Sequence, residues 1–263
     1  MRPYVTKVEA MSRRLVVSIA LALLLSACGT DEEPSAALES TSTSAQPTTT
    51  PSPSTTEAPS SGLPDGTWVA TATGDGVHTF VGAEDDGTPT WWFPDPTQFG
   101  GDRVFLVVDA DDDFLKVQLP VQPNGSTGWI RRADVELSEV TTRAEVDLRD
   151  NSLTVWDGEE VLVETAAAVG KPTSPTPLGE FFVRDVIEKN PNGAYGSFIL
   201  GLSGFSETLE TFKGALPAIA IHGTNQPDLI GEEVSNGCVR IPNELVELLA
   251  ETVPLGTPVS IVG

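Results

Sequence analysis

Short apolar runs separated by turn signals dominate residues 63–138. Asp75-Gly76 and Asn124-Gly125 lie between runs, as the turn residues of β-hairpins do. The runs themselves are the length of short strands: Thr67–Ala72, Val77–Val81, Val104–Val108, Phe114–Leu119 and Gly128–Ile130. The pattern predicts a small N-terminal β-domain. Trp91-Trp92-Phe93 favours a core or domain-interface cluster over the alternative, a sugar-stacking surface.

Residues 141–263 are also strand-like for most of their length. Val146 and Leu148 alternate with polar residues, and so do Leu153 and Val155. Pro258–Val262 predicts a short final strand. The fold class predicted for the chain is therefore mainly β, with a small N-terminal β-domain followed by a β-rich domain with one main helix.

The one predicted helix follows Asn243, which we expect to be its N-cap. Val246, Leu249, Ala250 and Val253 form an apolar stripe at helical spacing, and Leu245 and Leu248 widen it toward a well-buried helix. Pro254 and Gly256 end it. The Gly-, Asn- and Ser-rich segment 189–205 predicts a loop over a site.

The N-terminal residues are typical of an export signal. Arg13 and Arg14 precede the apolar run Leu15–Leu25, and Leu25-Ser26-Ala27-Cys28 resembles a bacterial lipobox. We therefore expect residues 1–28 to be a lipoprotein signal peptide, with lipidated Cys28 anchoring the protein to the outer face of the cytoplasmic membrane. The alternative is an ordinary cleaved signal peptide.

A linker is predicted at residues 29–62. From residue 30 onward, 21 of its 33 residues are Ser, Thr or Pro, so it cannot bury enough apolar surface to order itself and should be disordered.

Charge and composition exclude several classes of function. The formal net charge of −23 repels phosphate backbones, so nucleic acid is not an expected partner. The chain has two cysteines and two histidines, His78 and His222, which excludes a disulfide scaffold and an all-cysteine zinc site. The acidity and the five lysines are compatible with an actinobacterial source.

The candidate chemistry is concentrated at residues 222–240. His222 follows the apolar run Ala218–Ile221, and Cys238 comes sixteen residues later. A thiolate is a nucleophile, and an imidazole within reach can take its proton, so this pair could perform acyl transfer through a thioester. From spacing alone, two core residues remain the alternative. Gly237 could supply a backbone amide to an oxyanion hole, and Arg240 could bind a carboxylate.

Several sequence blocks resemble the L,D-transpeptidase catalytic domain (the YkuD family). They are His222-Gly-Thr, Ser235-x-Gly-Cys-Val-Arg240, Thr176–Phe181, Phe198–Gly204 and Pro254–Val259. The resemblance covers about 141–263. It implies that Cys238 is the acylated nucleophile, that His222 is the proton acceptor and donor, and that the backbone carbonyl of Gly223 orients His222. Arg240, Ser235 and Asn236 are the implied substrate-binding residues.

The family's second histidine, two positions before the cysteine, is Asn236 here. Asn cannot accept a proton, although its amide can still hold the loop. The resemblance implies a peptidoglycan L,D-transpeptidase that forms 3→3 cross-links between stem peptides in cell wall biogenesis, with carboxypeptidase activity when water is the acceptor. It also implies acylation by carbapenems and a reaction that requires no metal and no cofactor. Two alternatives remain open: a weak or inactive peptidoglycan-binding lipoprotein, and a transferase that attaches proteins to the wall.

Overall fold

The computed structural model describes residues 62–83, 87–212 and 214–263, together with the backbone of a two-residue strand, β1 (Thr6–Lys7). The predicted signal peptide 1–28, lipidated Cys28 and the linker 29–62 lie outside the described residues, apart from β1 and Gly62. Within the described part of the chain, no helix is long and apolar enough to cross a membrane.

The N-terminal domain contains two antiparallel sheets. Its strands are β2 (Thr67–Ala72), β3 (Gly76–Thr79), β4 (Trp91–Pro94), β5 (Val104–Ala110), β6 (Phe114–Gln118), β7 (Thr127–Arg131) and β8 (Val135–Val140). Five of them form the sheet β7-β6-β5-β2-β8, and the smaller sheet has the order β1-β4-β3. The apolar runs identified in the sequence are therefore strands.

Phe93 of β4 is fully buried in the core of this domain and meets Phe105 edge to face at 5.3 Å between ring centroids. Trp91 and Trp92 are half-buried on the same strand. The aromatic run thus contributes to the core, as predicted.

The second domain is built on an eight-stranded sheet and a two-stranded one. The strands of the domain are β9 (Thr142–Asp147), β10 (Ser152–Asp157), β11 (Glu160–Ala166), β12 (Val169–Gly170), β13 (Gly179–Glu188), β14 (Phe198–Phe205), β15 (Ala218–His222), β16 (Glu233–Ser235), β17 (Val239–Arg240) and β18 (Pro258–Val262). The main sheet has the order β11-β10-β9-β18-β13-β14-β15-β17, and β12 pairs with β16. One helix, α1 (Asn243–Thr252), completes the described domain. The predicted fold class is confirmed.

Period-2 alternation explains how the strands bury one face. On β10, Leu153 and Val155 are buried while their neighbours are only partly covered. The buried residues of β9, β14, β15 and β18 join the same core, into which α1 inserts Val246 and Leu249.

Two features of the predicted helix were wrong. The residue at the N-cap position is Pro242, and Asn243 lies inside the helix without capping it. The Asn243 amide instead accepts a hydrogen bond from the Thr224 backbone N–H at 2.9 Å and donates one to the Pro191 carbonyl at 3.3 Å. Leu248 is 39% exposed, so the buried stripe is narrower than predicted.

The predicted loop 189–205 was correct only as far as residue 197. Residues 198–205 form the buried strand β14, between β13 and β15. The glycines within it serve close packing rather than disorder: a Cβ on Gly204 would meet the Phe181 ring at 2.4 Å.

The two domains pack directly against each other. An apolar cluster joins Phe182 of β13 to Val69, Val104 and Leu106 of the N-terminal sheet. Two polar links add to it: the Thr97 hydroxyl donates to Asp185 Oδ1 at 2.9 Å, and the Asn124 amide exchanges two hydrogen bonds with the backbone of Phe205. Thr97 and Asp185 are both buried, so loop 95–101 of the first domain is held against the second.

Candidate active site

Strand register brings several of the predicted site residues to one face of the sheet. β15 and β17 are parallel, and His222 lies opposite Arg240. Side chains two residues apart on a strand share a face, so Ala220 and His222 project to the same side of β15. His222 and Arg240, eighteen positions apart in the chain, are thereby brought to neighbouring strands, and Cys238 lies directly before the second of them.

A cavity of about 290 Å³ opens above this face. His222, Cys238, Ser235, Asn236 and Arg240 all line it. The five side chains that sequence reasoning assigned to one site therefore share one cavity. Gly223 and Gly237 contribute through the backbone beside it.

His222 is buried and oriented by the backbone. Its Nδ1 lies 2.5 Å from the Gly223 carbonyl oxygen. A carbonyl can only accept, so Nδ1 donates this hydrogen bond and carries a proton. The ring of Tyr195 packs edge-on at 5.0 Å between centroids.

Burial lowers the pKa of His222 from 6.5 to about 4. Backbone hydrogen bonds to Gly223 and Tyr195 oppose this change, and the positive charge of Arg240 adds to it. At neutral pH the imidazole is therefore uncharged, which is the state a general base requires.

Cys238 is a free thiol, and its surroundings keep it protonated at rest. Burial raises its pKa, while a backbone hydrogen bond with Ala220 and the charge of Arg240 act in the opposite direction. His222 lines the same cavity and is uncharged at neutral pH, so both groups face the cavity in their neutral forms. The thiol must therefore lose its proton during attack.

Ser235 organises the loop that presents the thiol. Its hydroxyl donates to the Cys238 carbonyl at 2.6 Å and accepts the Gly237 amide at 3.0 Å. Both partners lie within the loop, so the structure gives Ser235 a positioning role, and direct substrate contact stays a prediction. Gly237 has a φ of +111°, a backbone conformation that residues with a side chain rarely adopt.

The Gly237 amide is already engaged by Ser235. To donate to an oxyanion, this amide would have to give up its hydrogen bond to Ser235. Its role in an oxyanion hole therefore stays a prediction, and that role would cost the hydrogen bond that orders the loop. The amide of Cys238, one residue on, is the alternative donor.

Close backbone approach explains Gly223. A Cβ there would lie 2.1 Å from Asn243 Oδ1, the atom that accepts the Thr224 amide. Any residue other than glycine at position 223 would therefore displace Asn243. The same packing fixes the Gly223 carbonyl that accepts the hydrogen bond from His222.

Other cavity residues were missed from the sequence: Phe99, Arg184, Asp185, Tyr195 and Phe212. Phe99 comes from the N-terminal domain, on the loop that Thr97 fastens to Asp185. Its 48% exposure, unusual for phenylalanine, is a consequence of its place at the cavity rim. No local sequence pattern marks it. Among the described residues, no group of three or more His, Cys, Asp or Glu side chains could hold a metal ion.

Comparison with known proteins agrees with this geometry. The L,D-transpeptidase catalytic domain (YkuD) matches residues 141–261. YqjB of Bacillus subtilis, which carries the L,D-transpeptidase name, is 35% identical over 122 residues, and the match spans 44% of this chain and 68% of that protein. The chain belongs to the L,D-transpeptidase (YkuD) family.

Another family member, YkuD of Bacillus licheniformis, is 37% identical over 119 residues, which are 45% of this chain and 64% of that protein. The chain thus spans slightly less than two thirds of that relative. A solved L,D-transpeptidase from Mycobacterium tuberculosis is 14% identical with a TM-score of 0.41, covering 74% of this chain and 80% of the other. One from Enterococcus faecium is 27% identical with a TM-score of 0.36, covering 46% and 49%.

Proposed function

We propose that this L,D-transpeptidase family member is an active peptidoglycan L,D-transpeptidase that works through a thioester on Cys238. The observation that carries the proposal is that a free thiol lines the same cavity as an uncharged imidazole whose Nδ1 donates to the Gly223 carbonyl. Family membership supplies the class of substrate, the stem peptides of peptidoglycan.

The first half-reaction forms the acyl-enzyme. Sγ of Cys238 attacks the carbonyl carbon of the diaminopimelate residue in a tetrapeptide stem, and its proton passes to Nε2 of His222. The tetrahedral intermediate collapses as the bond to D-alanine breaks, and His222 returns the proton to the departing amine. The low pKa of His222 makes its protonated form a strong acid for this step.

The second half-reaction releases the product. The side-chain amine of a second stem attacks the thioester, gives a proton to His222, and expels the Cys238 sulfur, which is reprotonated. The product is a 3→3 cross-link. Water in place of the amine gives a carboxypeptidase reaction.

Asn236 motivates a second candidate, a binding lipoprotein with an inactive site. Asn236 is exposed at the cavity wall. The contacts that orient His222 and the Cys238 loop come from Gly223 and Ser235 and not from Asn236, which favours activity. A transferase that attaches proteins to the wall would use the same acyl-enzyme with a different amine.

We also propose that the protein is exported and lipid-anchored at Cys28, with the Ser/Thr/Pro-rich segment 29–62 as a tether toward the wall. Metabolic labelling with a fatty-acid probe tests this. Label that is absent from Cys28→Ser supports the anchor, and equal labelling of both proteins contradicts it.

The activity is tested with the purified full-length chain and a disaccharide-tetrapeptide, followed by mass spectrometry beside Cys238→Ala. A dimer that has lost one D-alanine, absent from the variant, is expected. Loss of D-alanine without dimer would identify a carboxypeptidase. Folded protein that neither turns over the donor nor shows a mass shift at Cys238, with the stem or with a carbapenem, would favour the binding lipoprotein.

A further inference from the structure

Arg184 reaches the cavity because β13 is irregular at that point. Val183 pairs with Leu202, but the next pair is Asp185 with Gly201, so Arg184 is an additional residue in a β-bulge. Bulges re-aim side chains, and they are over-represented beside active sites. Here Arg184 and Asp185 both line the cavity although they are consecutive residues.

The bulge lies at one end of a row of small residues that leads to the nucleophile. Asp185 is opposite Gly201, and Gly201 is opposite Ala220, on the strand beside Cys238. From β13 to β17 the row crosses three strand spacings, roughly 14 Å at about 4.8 Å each. Gly201 and Ala220 form a low floor, so an extended ligand with its reacting carbonyl at Cys238 can lie along the row toward Arg184.

The Arg184 side chain is largely covered but makes few polar contacts with the described residues. Its Nε lies 3.2 Å from Asp185 Oδ2, outside hydrogen-bond geometry, and its Cζ lies 5.7 Å from the centroid of the Phe205 ring. Burial lowers the pKa of Arg184, and the charge of Asp185 opposes this. Most of the hydrogen-bonding capacity of this side chain is therefore unused by the described residues.

The carboxylate of Asp185 is not reserved for Arg184. It accepts the Thr97 hydroxyl. Burial raises the pKa of Asp185, and the charge of Arg184, the hydrogen bond from Thr97 and the charge of Arg103 oppose this. Arg240 brings a second guanidinium to the cavity, and its Nε has no partner among the described residues.

The cavity wall thus carries two guanidinium groups and one carboxylate beside a neutral His222, an excess of one positive charge. The whole chain has a net charge of −23, so this excess is local. Asp185 is the ion-pair partner of Arg184 at 3.2 Å, and a carboxylate on a ligand would match the hydrogen-bonding geometry that the guanidinium leaves unused.

We propose that Arg184 forms a carboxylate-binding subsite that reads a free carboxylate on the side chain of the acyl-donor residue, while Arg240 lies nearer the nucleophile. The inference rests on the proposed function, in which that residue is a diamino dicarboxylic acid. Arg240 lies two residues from the nucleophile and is near the reacting carbonyl. Arg184 lies at the far end of the row, where the side-chain carboxylate of the donor residue would arrive.

The first test compares three tetrapeptide donors on the full-length chain: the free acid, the donor amidated on the side-chain carboxylate, and the donor amidated on the leaving D-residue. We expect wild type to prefer the free acid to the side-chain amide by about 10- to 100-fold in kcat/KM, the range for a hydrogen bond between charged groups. Arg184→Gln should reduce that ratio to near one, mainly by raising KM for the acid, while discrimination at the leaving residue stays unchanged.

Controls separate recognition from folding. Arg149→Gln removes an exposed arginine paired with Asp147 and should keep the wild-type ratio. The double variant Arg184→Gln/Asp185→Asn removes both charges, so no carboxylate is left uncompensated, and it should match Arg184→Gln in selectivity. Alkylation of Cys238 by the neutral reagent iodoacetamide should be the same in all of them.

A binding test distinguishes failure of the proposed subsite from failure of the proposed transpeptidase activity. A tripeptide stem, which lacks the leaving residue, should slow alkylation of Cys238 in wild type, and Arg184→Gln should weaken this protection about tenfold or more. Protection without turnover would retain the subsite and reject the transpeptidase. Turnover with an unchanged acid-to-amide ratio in Arg184→Gln would retain the transpeptidase and overturn the subsite, and so would an equal loss on all donors.

Discussion

Acidification from pH 7 to pH 5 is expected to destabilise the folded protein through His222 by about 2 kcal/mol. Burial lowers the pKa of this imidazole to about 4 in the folded chain, whereas the exposed group in the unfolded chain has a pKa of 6.5. The unfolded state therefore binds the proton more tightly. The contribution of His222 to stability is fully present above pH 6.5 and is lost as the pH falls toward 4.

The magnitude follows from the two pKa values. Their full separation, at about 1.4 kcal/mol per pH unit, corresponds to about 3 kcal/mol below pH 4. At pH 5 the unfolded imidazole is almost fully protonated and the folded one is still neutral, so about 2 kcal/mol of this is already lost. His222 is only 3% exposed, so solvent screening does not reduce the value much.

Urea unfolding followed by tryptophan fluorescence measures the effect at pH 7, 6 and 5. The control is His222→Gln, which cannot titrate in this range. Other groups, including the buried Asp185, titrate in both proteins and cancel in the difference. The free energy of unfolding of wild type relative to the variant should fall by about 2 kcal/mol between pH 7 and pH 5. Parallel profiles would refute the assignment of a buried, neutral His222.

Further predictions concern the loop, the domain contact and the core. Ser235→Ala removes two hydrogen bonds of about 1 kcal/mol each, so acylation of Cys238 should slow about tenfold or more. Ser235→Thr should restore most of the rate. An unchanged rate in the alanine variant would contradict the positioning role of Ser235. Thr97→Val leaves a buried carboxylate oxygen of Asp185 without its donor and should lower the free energy of unfolding by about 1–3 kcal/mol in urea, whereas no loss would show that the contact is dispensable. Leu249→Ala should cost about 2–5 kcal/mol and Leu248→Ala less than about 1 kcal/mol in the same assay, and equal losses would contradict the helix orientation.

Local pattern was sufficient for strands that bury alternate residues against a single core. Thr67–Ala72 and Pro258–Val262 begin and end where the apolar runs do. β14 was missed because its glycines resemble a loop, whereas their role depends on Phe181 and other residues distant in the chain. Asn243 failed as a cap for a similar reason, since its amide is used by Thr224 and Pro191. Tertiary contacts override local propensity at these positions.

The cysteine and the histidine could be found from the sequence because each lies in a short distinctive block. Arg184 could not, because a bulge is a property of strand pairing and leaves no mark on one strand alone. Phe99 could not either, since a different domain brings it to the cavity. The charges and the apolar rim that surround the reacting atoms are thus the part of the site that depends most on three-dimensional structure.

The parallel pairing of β15 with β17 makes the relative position of the catalytic residues independent of the length of the loop between them. His222 and Arg240 are fixed as neighbours by the ladder, and Arg240 is fixed on its other side by two backbone hydrogen bonds with Ala168. The segment between the catalytic residues leaves one strand and returns to the next, so both of its ends are anchored. Insertions or deletions around residues 225–231 could therefore accumulate during evolution without moving the thiol relative to the imidazole.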